Sequence, residues 1–268
     1  AGRINRALPM KTKPSRSRLR MPVRANLRLA LLCIVLQLSP WAASAGPPYL
    51  TDDPAPTDYR HFEIYVFSDG IHNRGGTSSD LGIDFNYGAA RDLQLTAVLP
   101  IVFEQPHGAA TSRGLGNVQL AAKYRFLHQE ESGWDVAVFP RVFLPSGSPD
   151  VGEQHASLQL PLWIGKDWGR WSTFGGGGCA LNHGGTSRDY CFAGWVLARQ
   201  VLPHLQVGAE LFYQTADASD ARDKTVAGAG ARYDVGERFH LLAYGSAGVQ
   251  NADSEHQYSW YAAMLFTF

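Results

Sequence analysis

Nowhere is the sequence both apolar and long enough to cross a bilayer as a helix after its first forty-five residues, so a helical inner-membrane protein is excluded. An excess of charge of either sign is also missing: 24 Lys and Arg balance 24 Asp and Glu. That leaves no basic surface to bind nucleic acid and no acidic tail. Cysteine is scarce, with three in 268 residues, so the fold is not a disulfide scaffold. Helical periodicity is nowhere sustained. No histidine is closely spaced with Asp, Glu or Cys in the manner of a metal site, and no glycine-rich loop leads from a strand into a helix to cradle phosphate. The sequence calls for no cofactor, no metal and no nucleic-acid partner.

What is present begins with an export signal. Arg24 and Arg28 precede an apolar run from Leu29 to Leu38, which closes on Ala43-Ser44-Ala45. At about ten residues the run is too short to span, and the small residues before Gly46 are a cleavage pattern. Residues 1–45 are therefore expected to be an N-terminal extension and a cleaved signal peptide, with Met21 a better initiator than Met10. Cys33 lies within the apolar run and lacks the small preceding residue of a lipid-anchor site. Residues 46–60 are expected as a leader and residues 61–268 as one domain in an oxidising compartment.

That domain reads as short segments with period-two alternation, broken by Gly, Asp, Asn, Ser and Pro clusters. Leu81, Ile83, Phe85 and Tyr87 share one face against Asp80, Gly82, Asp84 and Asn86. Leu93, Leu95, Ala97, Leu99 and Ile101 repeat the pattern against Gln94 and Thr96, as do Leu120, Tyr124 and Phe126 against Gln119, Lys123 and Arg125. About twelve such strands follow, many near the ~9–11 residues that a tilted membrane strand requires. Tight turns are expected at residues 88–92, 165–170, 200–204 and 234–238, and longer loops at 69–79, 106–114, 145–155, 182–189 and 215–223. Aromatics gather at strand ends, and Tyr258, Trp260, Ala262, Met264, Phe266 and Phe268 alternate up to the last residue. A soluble β-sandwich also alternates, but those two features favour an all-β transmembrane antiparallel up-and-down barrel in the outer membrane of a Gram-negative bacterium. Its partners are then outer-membrane lipids, a small-molecule solute and, through Phe268, the barrel-assembly machinery.

Several motifs carry a resemblance. Thr51-Asp52-Asp53-Pro54 leads to Phe62-Glu63-Ile64; Asp84-Phe85-Asn86-Tyr87-Gly88 leads to Leu93-Gln94-Leu95; Gly114-Leu115-Gly116-Asn117 leads to Lys123-Tyr124-Arg125; and Leu144-Pro145-Ser146-Gly147 follows. In these the chain resembles the outer-membrane channel family named after the meta pathway of phenol degradation. The resemblance implies a channel, associated in some members with aromatic or other hydrophobic compounds, and no catalytic residues. Asn117 departs from the Asp expected there. Thr51, Asp52, Asp53 and Pro54 read either as a periplasmic leader that ends pairing or as a plug in the lumen.

Opposition to the apolar face puts Glu63, Asp84, Lys123, Arg141 and Glu210 inside, with Gln94, Gln119 and Gln159, because ionisable groups are costly against lipid. Phe139, Phe143, Trp163, Trp195, Phe212 and Tyr244 are assigned to the same face, as an apolar track or as filling. Pore-lining and structural ion pairing are both open to the charged set. Cys179 and Cys191 flank the loop at 182–189, where pairing across adjacent strands makes a disulfide geometrically possible; otherwise they are two small packed residues. Asn182, His183 and Ser187 raise a barrel-embedded lipid hydrolase as an alternative, but Gly-Gly-Thr separates the last two in a loop. A structural barrel without a pore is the third reading.

Overall fold

A computed structural model describes residues 48–182 and 184–268; the expected signal peptide lies outside them. Strands follow one another almost without interruption. The first five are β1 (Phe62–Asn73), β2 (Gly76–Ala90), β3 (Leu93–Pro106), β4 (Ser112–Leu115) and β5 (Gln119–Leu127). After the short helix α1 (Gln129–Ser132) come β6 (Asp135–Val138), β7 (Arg141–Phe143), β8 (Ser157–Trp168), β9 (Trp171–Leu181) and β10 (Tyr190–Leu202). The chain ends with β11 (Leu205–Gln214), β12 (Lys224–Asp234), β13 (Phe239–Gln250), helix α2 (Ala252–Glu255) and β14 (Tyr258–Thr267).

Every pairing between these strands is antiparallel, β1 closes on β14, and β3 joins β5, so the sheet is a closed barrel of twelve spanning strands. Two irregularities reconcile that number with fourteen elements. Pro140 cannot donate to a ladder and divides one spanning strand into β6 and β7. β4 is a short return strand that pairs only with the far end of β3, Ile101 to Glu104.

Alternation decides the orientation of each strand. Leu81, Ile83, Leu95, Leu99, Leu162 and Leu211 are exposed on the outside, whereas Gln94, Thr96, Lys123, Glu210 and Ser246 are buried within. A surface apolar outside and polar within is stable only with hydrocarbon around it. Exposed aromatics complete the pattern. Tyr124, Phe126, Trp168, Trp171 and Tyr233 ring the short-turn end, and Tyr213 and Tyr258 lie towards the other, the levels at which amphipathic rings meet headgroups.

The structure corrects two expectations. Residues 69–79 are not a long loop: β1 and β2 pair continuously as far as Asn73 and Gly76, leaving a two-residue turn. Their Gly, Ser and Asp content reads as loop because this hairpin extends beyond the apolar band, where polar side chains on a strand cost little. Trp195 faces outward and is 46% exposed. Both faces of β10 are apolar, so hydrophobicity alone does not orient it. Opposite lies Gly175, which leaves space for the Trp195 ring, and the indole N–H donates to Thr173 Oγ1 at 2.8 Å.

Two of the motif segments meet at the long-loop end. Asn117 Oδ1 accepts from the Gly147 amide at 3.0 Å, and its Nδ2 donates to the Glu153 carbonyl at 2.9 Å. An aspartate could make the first of these bonds but could not donate the second. Nearby, Ser146 Oγ accepts from the Val118 amide and Ser148 Oγ from the Leu115 amide. Side chains thus close the wall where β4 ends and the β5 ladder has yet to begin. Cys179 and Cys191 oppose each other on β9 and β10 and are joined as a disulfide, which pins the base of the loop between them.

Candidate functional site

The leader does not hang free below the barrel. It enters the lumen and crosses it, meeting glycines, hydrogen-bonding partners and, at Tyr49, the rings of Phe174 and Tyr244. Tyr49 lies against Gly208 and Gly230 of β11 and β12. Thr51 sits on Gly194 of β10, where any Cβ would collide with its hydroxyl. Pro54 abuts Gly165 of β8, and Asp58 crosses so close to Gly88 of β2 that no side chain could stand there. Glycine at these positions is a requirement of the crossing segment.

Three polar anchors hold the segment. Glu210, 4% exposed, accepts from the backbone amides of Thr51 (2.6 Å) and Leu50 (3.2 Å) and from the Tyr244 hydroxyl (2.5 Å). At the opposite side Gln94 Oε1 accepts from the amide and hydroxyl of Thr57 at 2.8 and 3.1 Å, while its Nε2 donates to Asn86 and Thr96. Between them is an ionic latch. Lys123, 4% exposed, places Nζ 3.0 Å from Asp52 Oδ1, 3.9 Å from Asp53 Oδ1 and 3.3 Å from the Ala55 carbonyl. Arg141 Nη2 donates to Asp52 Oδ2 at 2.6 Å. Both cations lie over the Phe139 ring, at 4.8 and 4.3 Å from its centroid. Asp53 also accepts from the Ala55 amide at 2.7 Å, so the Asp-Asp-Pro turn is folded against the wall it binds.

Above this floor a cavity of about 560 Å³ occupies the lumen. Pro48, Tyr49, Leu50, Asp52 and Ala55 form its base. Of the residues assigned inward from the sequence, Glu63, Asp84, Lys123, Arg141, Phe212 and Tyr244 line it. Glu210 points inward but lies beneath the leader, and Phe143 is half-buried near the loop end, outside the lining. The alternation that places Glu63 inside also brings Tyr65 and Phe67 there, and Phe192 of β10 joins them. At the loop end His256, whose Nε2 is 2.8 Å from Ser246 Oγ, borders the cavity. Burial, with Lys224 adding to it, pushes this imidazole down to about 4, so the ring is neutral near neutral pH. At the short-turn end burial raises Asp92, but hydrogen bonds and charge from Arg125 and His128 outweigh it and hold the carboxyl below its ordinary range.

The family described as "Putative MetA-pathway of phenol degradation" matches residues 64–264. The chain belongs to this family. Among solved structures the family fold is shared with the COG4313 outer membrane channel from Pseudomonas putida F1, at a TM-score of 0.64 and 14% identity over 80% of this chain and 99% of that one. The β domain of the Bordetella autotransporter BrkA aligns at a TM-score of 0.53 and 16% identity, over 78% and 99% of the two chains. The NalP translocator domain from Neisseria meningitidis aligns at 0.52 and 12%, over 91% and 94%. At these identities the likeness establishes the fold, an outer-membrane β-barrel. No protein of curated function matches the sequence.

Proposed function

We propose that the protein is a passive channel of the Gram-negative outer membrane, admitting small aromatic or hydrophobic molecules. The observation that carries this reading is the cavity of about 560 Å³ inside a closed barrel, floored among the described residues by a leader segment that side chains hold in place. Twelve strands lie between the eight whose interior side chains fill and the sixteen or more of broad aqueous pores. A solute entering from the long-loop end meets aromatic rings interspersed with polar groups. Such a lining supports weak, successive contacts, as a passive path requires. Short turns would face the periplasm, and Thr51 to Pro54 would act as the plug. β14, with Phe266 and Phe268, would be presented to the barrel-assembly machinery. The reading assigns no catalytic residue; His183, on which a hydrolase would depend, lies outside the described residues.

Five carboxylate side chains line the cavity against three cationic ones, so purified protein in a planar bilayer should give a small, cation-preferring conductance. Asp84→Lys should move the reversal potential towards anion preference while the barrel still assembles. Absence of conductance, or a reversal potential indifferent to that reversal, would contradict a path through this lumen.

A further inference from the structure

One sector of the cavity differs from the rest. Ala137, Trp163, Gly176, Gly194 and Phe212 lie in register across β6 and β8 to β11, and Phe192 stands one step above, opposite Gly178. Glycines alternate with the large side chains: the Trp163 ring lies over Gly176, and the Phe212 ring lies with Thr51 over Gly194. Phe192 has its centroid 6.1 Å from both Trp163 and Phe212 and 6.3 Å from Tyr190. These separations suit a wall of rings against which a further flat ring can stack.

Trp163 lines the cavity but is 1% exposed, and its Nε1–H has no acceptor; elsewhere in the lining Arg141 Nε has none either. An indole buried at this depth usually finds a partner, because an unsatisfied buried donor is costly. Charge narrows what could supply one. Lys123 and Arg141 are already committed to Asp52, and carboxylates outnumber cations in the lining. An aromatic carboxylate would therefore find net repulsion, and a pure hydrocarbon would leave the donor unmet.

We propose that this recess binds an uncharged aromatic molecule bearing an acceptor oxygen, such as an aryl ketone or aldehyde, with the ring against Phe192 and Phe212 and the oxygen on the Trp163 N–H. The proposal deepens the channel reading and rests on it. Its test measures binding in place of flux, so that failure here leaves conduction untouched.

The full chain in nanodiscs, referenced to empty nanodiscs, is titrated calorimetrically with acetophenone, with α-methylstyrene, which has the same skeleton with a methylene in place of the oxygen, and with benzoate. Acetophenone should bind about tenfold more tightly than α-methylstyrene, the effect of one hydrogen bond to a buried donor. Trp163→Phe should remove that difference and leave α-methylstyrene unchanged. Phe192→Ala should weaken both. Equal binding of the two isosteres to the wild type would overturn the proposal without recourse to any variant. So would a preference that survives Trp163→Phe, or tighter binding of benzoate than of acetophenone.

Discussion

Lys123→Ala should raise single-channel conductance several-fold and expose residues 48–60 to protease, while the barrel itself stays folded. Lys123 is nearly inaccessible and meets both Asp52 and Asp53. Removing it leaves two buried carboxylates with Arg141 as their nearest cation. Breaking a buried pair from one side costs about 3–5 kcal/mol, mostly the penalty of the charge left behind. That corresponds to a roughly 10²–10⁴-fold shift from docked to released leader. The charge argument also ranks a second variant. Lys123→Ala combined with Asp52→Asn should release the leader less than Lys123→Ala alone, since fewer uncompensated charges remain. Glu210→Gln keeps an acceptor for the Leu50 and Thr51 amides and should act more weakly still. Conductance of Lys123→Ala equal to wild type would show that the leader is not what narrows the lumen.

The second large effect concerns the wall. Leu99→Arg and Leu162→Arg, near the middle of β3 and β8, should each lower the yield of folded barrel in vesicles, because an arginine against the bilayer midplane costs about 2–4 kcal/mol. Leu99 is 55% exposed on the outer surface. Gln119→Arg, on the cavity lining, should assemble as wild type does. Heat-dependent electrophoretic mobility of the refolded protein reads both outcomes. Equal tolerance at the two faces would refute the membrane orientation.

Much of this architecture can be read from alternation. Leu81, Ile83 and Phe85 declare an outer face because their neighbours are Asp80, Gly82, Asp84 and Asn86. The method fails where its contrast fails. Trp195 lies on a strand apolar on both faces, and its orientation is set by a glycine on the neighbouring strand. The β1–β2 extension fails differently, since a strand outside the hydrocarbon band has no apolar face to display. The path of the leader through the lumen is less legible still. Thr51 to Pro54 stand out as a motif, but nothing in their spacing reveals that Glu210, some 160 residues away, receives their amides. Gln94 reads as inward-facing, whereas its bond to Thr57 depends on how the leader crosses the lumen. The recess around Trp163 needs both the register of β6 to β11 and the glycines of β9. A run of four glycines in sequence suggests only flexibility, yet here it gives space to rings on two faces.

The most direct test is osmotic swelling of liposomes carrying the purified protein in an uncharged aryl glucoside, a solute that crosses bare lipid poorly. A passive channel predicts swelling whose rate rises in proportion to solute concentration, absent from protein-free liposomes and faster with Lys123→Ala. Liposomes that do not swell with either protein, although both barrels are folded and inserted, would contradict passage through the lumen.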